Sequence, residues 1–156
     1  MDLDLTGRHA LVCGASEGIG RATAHELALL GADVTLLSRR PAALAEVVAT
    51  LPVRATQAHG WLAADLADLN GLDAQVRALC AGRPVHILVN NTGGPPGGPV
   101  ESATLDAFRD AFALHVLANQ TLARAVLGGM ESAAFGRIVN VVSTSVREPI
   151  PNLGVS

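Results

Sequence analysis

Cys13-Gly14-Ala15-Ser16-Glu17-Gly18-Ile19-Gly20 is a glycine turn with the spacing G-x-x-x-G-x-G, and its meaning comes from what flanks it. Before it, His9-Ala10-Leu11-Val12-Cys13 is a short apolar run of strand character. After it, Ile19 to Leu30 carries apolar residues at helical spacing (Ile19, Ala22, Leu27, Leu30) and stops at Gly31, a residue suited to the left-handed position that closes a helix. The pattern predicts a strand, a tight turn and a helix.

The same alternation continues outward. Asp33 to Ser38 reads as a second strand, and Pro41 stands where the first residue of a helix over Ala42 to Thr50 would be. Gly60 to Ala64 reads as a third strand, and Leu72 to Cys80 as a third helix closed by Gly82 and Pro84. Val85 to Asn90 is a strand of the fully buried kind. It runs into Gly93-Gly94-Pro95-Pro96-Gly97-Gly98-Pro99, which is too rich in glycine and proline for regular structure. A long helical region over about Leu105 to Met130 precedes a last strand, Arg137 to Ser143, and the tail from Thr144 to Ser156 carries no clear element. Strands that are apolar on both faces and alternate with helices predict an α/β fold, a doubly wound parallel sheet of Rossmann type, in one domain spanning 1–156.

In that setting the glycine turn is an anion site. Gly14 permits the sharp exit from the strand, and Gly18 carries no Cβ to hold a pyrophosphate off the helix N-terminus. Gly20 lets the helix pack on the sheet. Ser16, Glu17 and Ile19 complete the turn. Dinucleotide sites usually place an acidic residue after the second strand, to bond the adenosine ribose. Here Ser38-Arg39-Arg40 stands there instead. A carboxylate would repel a 2′-phosphate, whereas a guanidinium pairs with it, so these residues favour NADP(H) over NAD(H). Glu17 opposes that preference unless its side chain points to solvent. The plainer alternatives are a tight turn with no ligand and two solvated arginines at a helix entrance.

Composition excludes several classes. Of 156 residues, 49% are hydrophobic and 16% charged, with a formal net charge of −3, so there is no basic footprint for nucleic acid or an anionic membrane. No apolar run reaches the roughly 18 residues of a membrane span. Met1 to Arg8 lacks the pattern of a signal peptide. Cys13 and Cys80 stand in no metal-ligand spacing and read as buried thiols of a reducing compartment, so the expected location is the cytoplasm and no metal is expected. The sequence contains no Tyr, and all eleven basic residues are Arg. No phenol or side-chain amine is available to any mechanism run by these residues.

Four ordered motifs make the chain similar to the short-chain dehydrogenase/reductase family, in particular its 3-oxoacyl-[acyl-carrier-protein] reductase-like members. They are Gly14 to Gly20; Asp65-Leu66 after the third strand; Asn90-Asn91-Thr92-Gly93 after the fourth; and Gly136 to Ser143. The resemblance runs over the whole chain. It implies that Asp65 bonds the adenine amino group beside Leu66, that Asn91, Thr92 and Gly93 line the cofactor ribose, and that Asn90 braces the central strands. It also implies that Ser143 bonds a substrate carbonyl. Taken alone, Asp65 is equally a helix N-cap and Ser143 a strand-end hydroxyl.

The departures are Cys13 for the family's Thr, Thr92 for its Ala, and His115 at the position of its catalytic Asn, with Asn119 one turn along as a substitute. The Tyr of the family's Tyr-x-x-x-Lys pair falls on Ser156. A Tyr with its pKa lowered by Lys supplies the proton that a nascent alkoxide needs, and Ser is a much poorer acid. The family's remaining strands would lie beyond Ser156, so the chain is expected to be the front part of a longer protein, incomplete at its C-terminal end. The function implied is NADP(H)-dependent reduction of a carbonyl or oxidation of an alcohol on a small molecule, in a homo-oligomer. Ser143, His115 and Ser156 are the catalytic candidates. The alternative is a dinucleotide-binding module without catalysis.

Overall fold

The computed structural model describes residues 3–54 and 56–156; Met1, Asp2 and Ala55, which the one-domain reading includes, lie outside the described residues. Five parallel strands form one sheet in the order β3-β2-β1-β4-β5. They are β1 (His9–Cys13), β2 (Asp33–Ser38), β3 (Gly60–Ala63), β4 (Ile87–Asn90) and β5 (Arg137–Asn140). The helices are α1 (Gly18–Leu29), α2 (Pro41–Thr50), α3 (Leu69–Gly82), α4 (Leu105–Phe112) and α5 (Ala118–Ser132). The expected doubly wound Rossmann-type fold is what forms.

Strand periodicity splits the core in two. In β1, Ala10 and Val12 pack with Ala24, Ala28, Leu44 and Val47 of α1 and α2. Leu11 and Cys13 face the opposite layer, with Leu72 and Val76 of α3 and Leu122 and Val126 of α5. Side chains two apart share a face and neighbours alternate, so one strand serves both layers. Strand order reverses between β1 and β4, which opens a crevice at the carboxyl ends of the strands, where such sheets bind ligands.

Local chemistry sets most element ends. Pro41 is the first residue of α2. Gly31, at φ 97°, closes α1: its N–H donates to the Ala28 carbonyl and that of Ala32 to Leu27, a Schellman pair. α3 starts earlier than the periodicity predicts because the Asp68 carboxylate accepts the Gly71 N–H at 3.1 Å and caps it. The last strand is shorter than expected. Val141 still donates to the Asn90 carbonyl at 2.9 Å, but β4 ends there and leaves Val142 and Ser143 without a ladder partner. The long helical region is interrupted by a π-helical turn at Ala113–Leu117.

The irregular segments pair with each other. Gly98 donates to the Asn152 carbonyl at 2.7 Å and Gly154 to the Gly98 carbonyl at 3.1 Å, which docks the tail on the proline-glycine loop. Each segment also holds one 3-10 turn, at Val100–Ser102 and Thr144–Val146. Among the described residues no helix is long and apolar enough to cross a membrane.

Candidate dinucleotide site

The crevice at the β1/β4 switch is a cleft of about 950 Å³. One wall is the glycine turn, through Gly14, Ser16, Glu17 and Ile19; another is Ser38, Arg39 and Arg40 at the end of β2. Asp65 and Leu66 follow β3 into the cleft, and Asn91, Thr92 and Gly93 follow β4. Twelve of the fourteen residues expected to bind a cofactor therefore line one cavity.

Gly18 and Gly20 do not line it and act from within the turn. A Cβ on Gly20 would run into the Gly14 carbonyl, so the closeness of α1 to the strand end depends on glycine there. Gly14 is at φ 58° and presses on the Asn91 backbone, whose carbonyl a Cβ would strike. Asn91 also reaches back: its Nδ2 donates to the carbonyls of Cys13 and Gly14 at 3.3 and 3.4 Å. The loop after β4 and the glycine turn are thus one assembly. Gly18, at φ 58°, has open space around it.

The N-terminus of α1 carries no side-chain cap. Glu17 holds the N-cap position in an extended conformation (φ −163°), yet its side chain makes no capping bond, and no acidic residue occupies the first turn. The first N–H groups of the helix are left to a ligand, and the helix dipole favours an anionic one. The Glu17 carboxylate pairs instead with Arg40 at 3.2 Å, and Arg40 also donates to the Ser16 hydroxyl at 3.1 Å. The cradle fits a dinucleotide: exposed helix N–H groups, a guanidinium wall, and a glycine where a Cβ would otherwise stand.

Asp65 is not the helix cap. Its Oδ1 accepts the Ala67 N–H at 3.0 Å, which holds the chain's exit from β3, while Asp68 caps α3. Asn90 braces the sheet as expected, donating from Nδ2 to Asn140 Oδ1 at 2.8 Å across β4 and β5. Cys13 is fully buried, and desolvation pushes its thiol up to about 12, so it is an inert neutral group. Among the described residues no group of three His, Cys, Asp or Glu could hold a metal ion.

The three catalytic candidates lie outside the cleft lining. Ser143 and Ser156 meet through Ser145, whose Oγ donates to Ser143 Oγ at 2.7 Å and lies 3.2 Å from Ser156 Oγ. His115 lies elsewhere, in the π-helical turn, with Nδ1 2.6 Å from the Thr92 hydroxyl; Thr92 connects it to the cleft. His115 Nε2, Asn119 Oδ1 and Asn90 Oδ1 are buried without a hydrogen-bond partner. Buried polar atoms are rarely left so. The structure adds residues that the motifs did not single out. Ala64, Ala67 and Gly94 line the cleft beside expected positions, and Leu114 enters it from the π turn.

Comparison with known proteins agrees with this fold. The family model described as short chain dehydrogenase matches residues 8–155. L-xylulose reductase of Mesocricetus auratus is 37% identical over 156 residues, covering 99% of this chain and 61% of that protein. Inactive hydroxysteroid dehydrogenase-like protein 1 of Pongo abelii is 32% identical over 149 residues, covering 94% of this chain and 45% of that protein. The crystal structure of L-sorbose reductase from Gluconobacter frateurii, complexed with NADPH and L-sorbose, superposes with a TM-score of 0.91 at 29% identity, covering 99% of this chain and 59% of that one. The chain therefore spans about three-fifths of the length of L-xylulose reductase. From the glycine turn to the strand ends, in sequence and in fold, this chain belongs to the short-chain dehydrogenase family of oxidoreductases.

Proposed function

We propose that this chain carries the NADP(H) site of an oxidoreductase that reduces a carbonyl or oxidises an alcohol on a small molecule. The observation that carries the reading is the single cleft in which the bare α1 N-terminus faces Arg39 and Arg40. The α1 N–H groups would hold the pyrophosphate, and the guanidiniums the 2′-phosphate. Asp65 would bond the adenine amino group, and Asn91, Thr92 and Gly93 would line the second ribose. When bound, the nicotinamide group supplies or accepts the hydride. Ser143, oriented by Ser145, would hold the substrate oxygen. His115 would set the Thr92 hydroxyl from behind the cleft, and its buried Nε2 could hold a water. Ser156 reaches the same hydroxyl cluster but is too weak an acid to be the proton donor by itself.

A second reading, a dinucleotide-binding module without catalysis, is favoured by one observation: the sequence has neither Tyr nor Lys. One experiment separates the two. NADPH binding is titrated by fluorescence, and NADPH oxidation is followed with a panel of ketones and 3-oxoacyl compounds. Binding with turnover supports the reductase, binding without turnover supports the module, and no binding overturns both. We also propose pairing with a second copy through the α4–α5 face. Phe112 and Val116 are exposed there, whereas Leu122 and Val126 are buried against the sheet. Light scattering that shows only monomer would refute it.

A further inference from the structure

Two adjacent guanidiniums line the cleft, and they are not equivalent. Arg40 is tied to the glycine turn by the Ser16 hydroxyl at 3.1 Å and the Glu17 carboxylate at 3.2 Å. Arg39 has no side-chain partner among the described residues. Glu17 sits at the N-cap of α1, where a carboxylate would normally accept a helix N–H, but its side chain makes no such bond. Arg40 has taken it instead. The chain thus holds, at the mouth of its own anion site, an internal anion already paired with one of the two cations.

We propose that Glu17 is a built-in competitor for the 2′-phosphate, holding Arg40 until a 2′-phosphorylated adenosine displaces its carboxylate. The inference rests on the dinucleotide reading above and assigns to Glu17 the control of phosphate discrimination at that site. The side chains of Arg40 and Glu17 are 59% and 79% exposed, so the pair is weak and exchangeable. A phosphate dianion offers more charge and more acceptor oxygens than a carboxylate, and can take Arg40 over. Freeing Arg40 from so exposed a pair changes phosphate affinity by about twofold to fivefold. Discrimination is held below what the arginine pair would otherwise give, and the unphosphorylated nucleotide stays competitive.

The test is calorimetry on the full chain with adenosine 2′,5′-bisphosphate and adenosine 5′-monophosphate, so no turnover is required. Wild type is compared with Glu17→Gln, Arg40→Gln and the double variant. The expected result is that Glu17→Gln raises the bisphosphate-to-monophosphate affinity ratio roughly twofold to fivefold. In the Arg40→Gln background the same change leaves the ratio unchanged, because no guanidinium is left to release. An unchanged ratio in Glu17→Gln overturns the inference while the dinucleotide reading stands. So does an equal gain with Arg40 absent, which would make Glu17 a source of repulsion and not a competitor. A wild-type chain that binds neither nucleotide overturns the dinucleotide reading and this inference together.

Discussion

Acid should destabilise this fold through one histidine at the amino ends of the strands, opposite the cleft. His9 is 1% exposed. Its Nδ1 is 3.1 Å from the Pro84 carbonyl, which can only accept, so Nδ1 carries the hydrogen and Nε2 accepts from the Thr35 hydroxyl at 2.8 Å. The neutral ring is fully satisfied. Protonation at Nε2 would bury a charge near Arg83, and desolvation followed by that repulsion pulls the His9 pKa down to about 4. The unfolded chain takes up its proton nearer 6.5. Between those values the unfolded state holds more protons, so this contribution to stability is present above pH 6.5 and is lost as pH falls toward 4. The full span is worth about 3 kcal/mol, of which about 2 kcal/mol is gone by pH 5.

The assay is urea unfolding of wild type and His9→Gln at pH 7.5 and pH 5.0. Gln keeps a donor and an acceptor but cannot titrate. Wild type should lose about 2 kcal/mol more than the variant over that interval. His86 titrates in both proteins, so only its repulsion with a charged His9 enters the difference; its pKa is also lowered, by desolvation and then by Arg8 and Arg83. Equal losses in the two proteins would refute the reasoning.

Further outcomes are expected at the cleft. Arg39→Ala should weaken NADPH binding about tenfold to a hundredfold by removing a charge-assisted bond, with little change for NADH; direct titration of both checks this. Gly20→Ala forces a methyl against the Gly14 carbonyl and should cost up to about 3 kcal/mol, seen as a Tm drop of roughly 6–12 °C. Gly18→Ala meets open space at φ 58° and should cost only about 1–2 kcal/mol; calorimetric melts of the two variants test the contrast. Asn91→Ala removes two long bonds to the glycine turn and should cost about 1 kcal/mol, with a larger proportional loss in nucleotide affinity.

The elements that were legible in the sequence are those whose ends are set by local chemistry. Gly31 must close α1 because the Schellman turn needs a left-handed residue, and Pro41 opens α2 because its fixed φ suits a first turn. β1 and β2 end where the apolar runs end because both are buried on both faces. Val141 to Ser143 reads as strand on composition alone, but a strand lasts only as long as its partner, and β4 stops at Asn90. The π turn at His115 escapes periodicity, since an apolar stripe does not distinguish a helix from one residue inserted in it. The Asp68 cap, three residues after Asp65 in the chain, was equally available to local rules and takes the capping role that Asp65 taken alone suggests.

The remaining features depend on contacts between distant segments. The pairing of Glu17 with Arg40 joins two motifs that the sequence presents separately, one as a phosphate turn and the other as a 2′-phosphate wall. Ser145 matters because the tail folds back to bring Ser156 to it. No spacing announces that His59 Nδ1 accepts the Val34 N–H at 3.2 Å, or that His86 Nδ1 accepts that of His9 at 3.0 Å. Imidazoles that complete the backbone at the amino ends of interior strands follow from topology.

The most direct test of the account is a titration of the wild-type chain with NADPH and with NADH, followed by displacement with adenosine 2′,5′-bisphosphate. The account predicts one saturable NADPH site, tighter than the NADH site and emptied by the bisphosphate. Tighter NADH binding, or a chain that binds neither nucleotide, would contradict it.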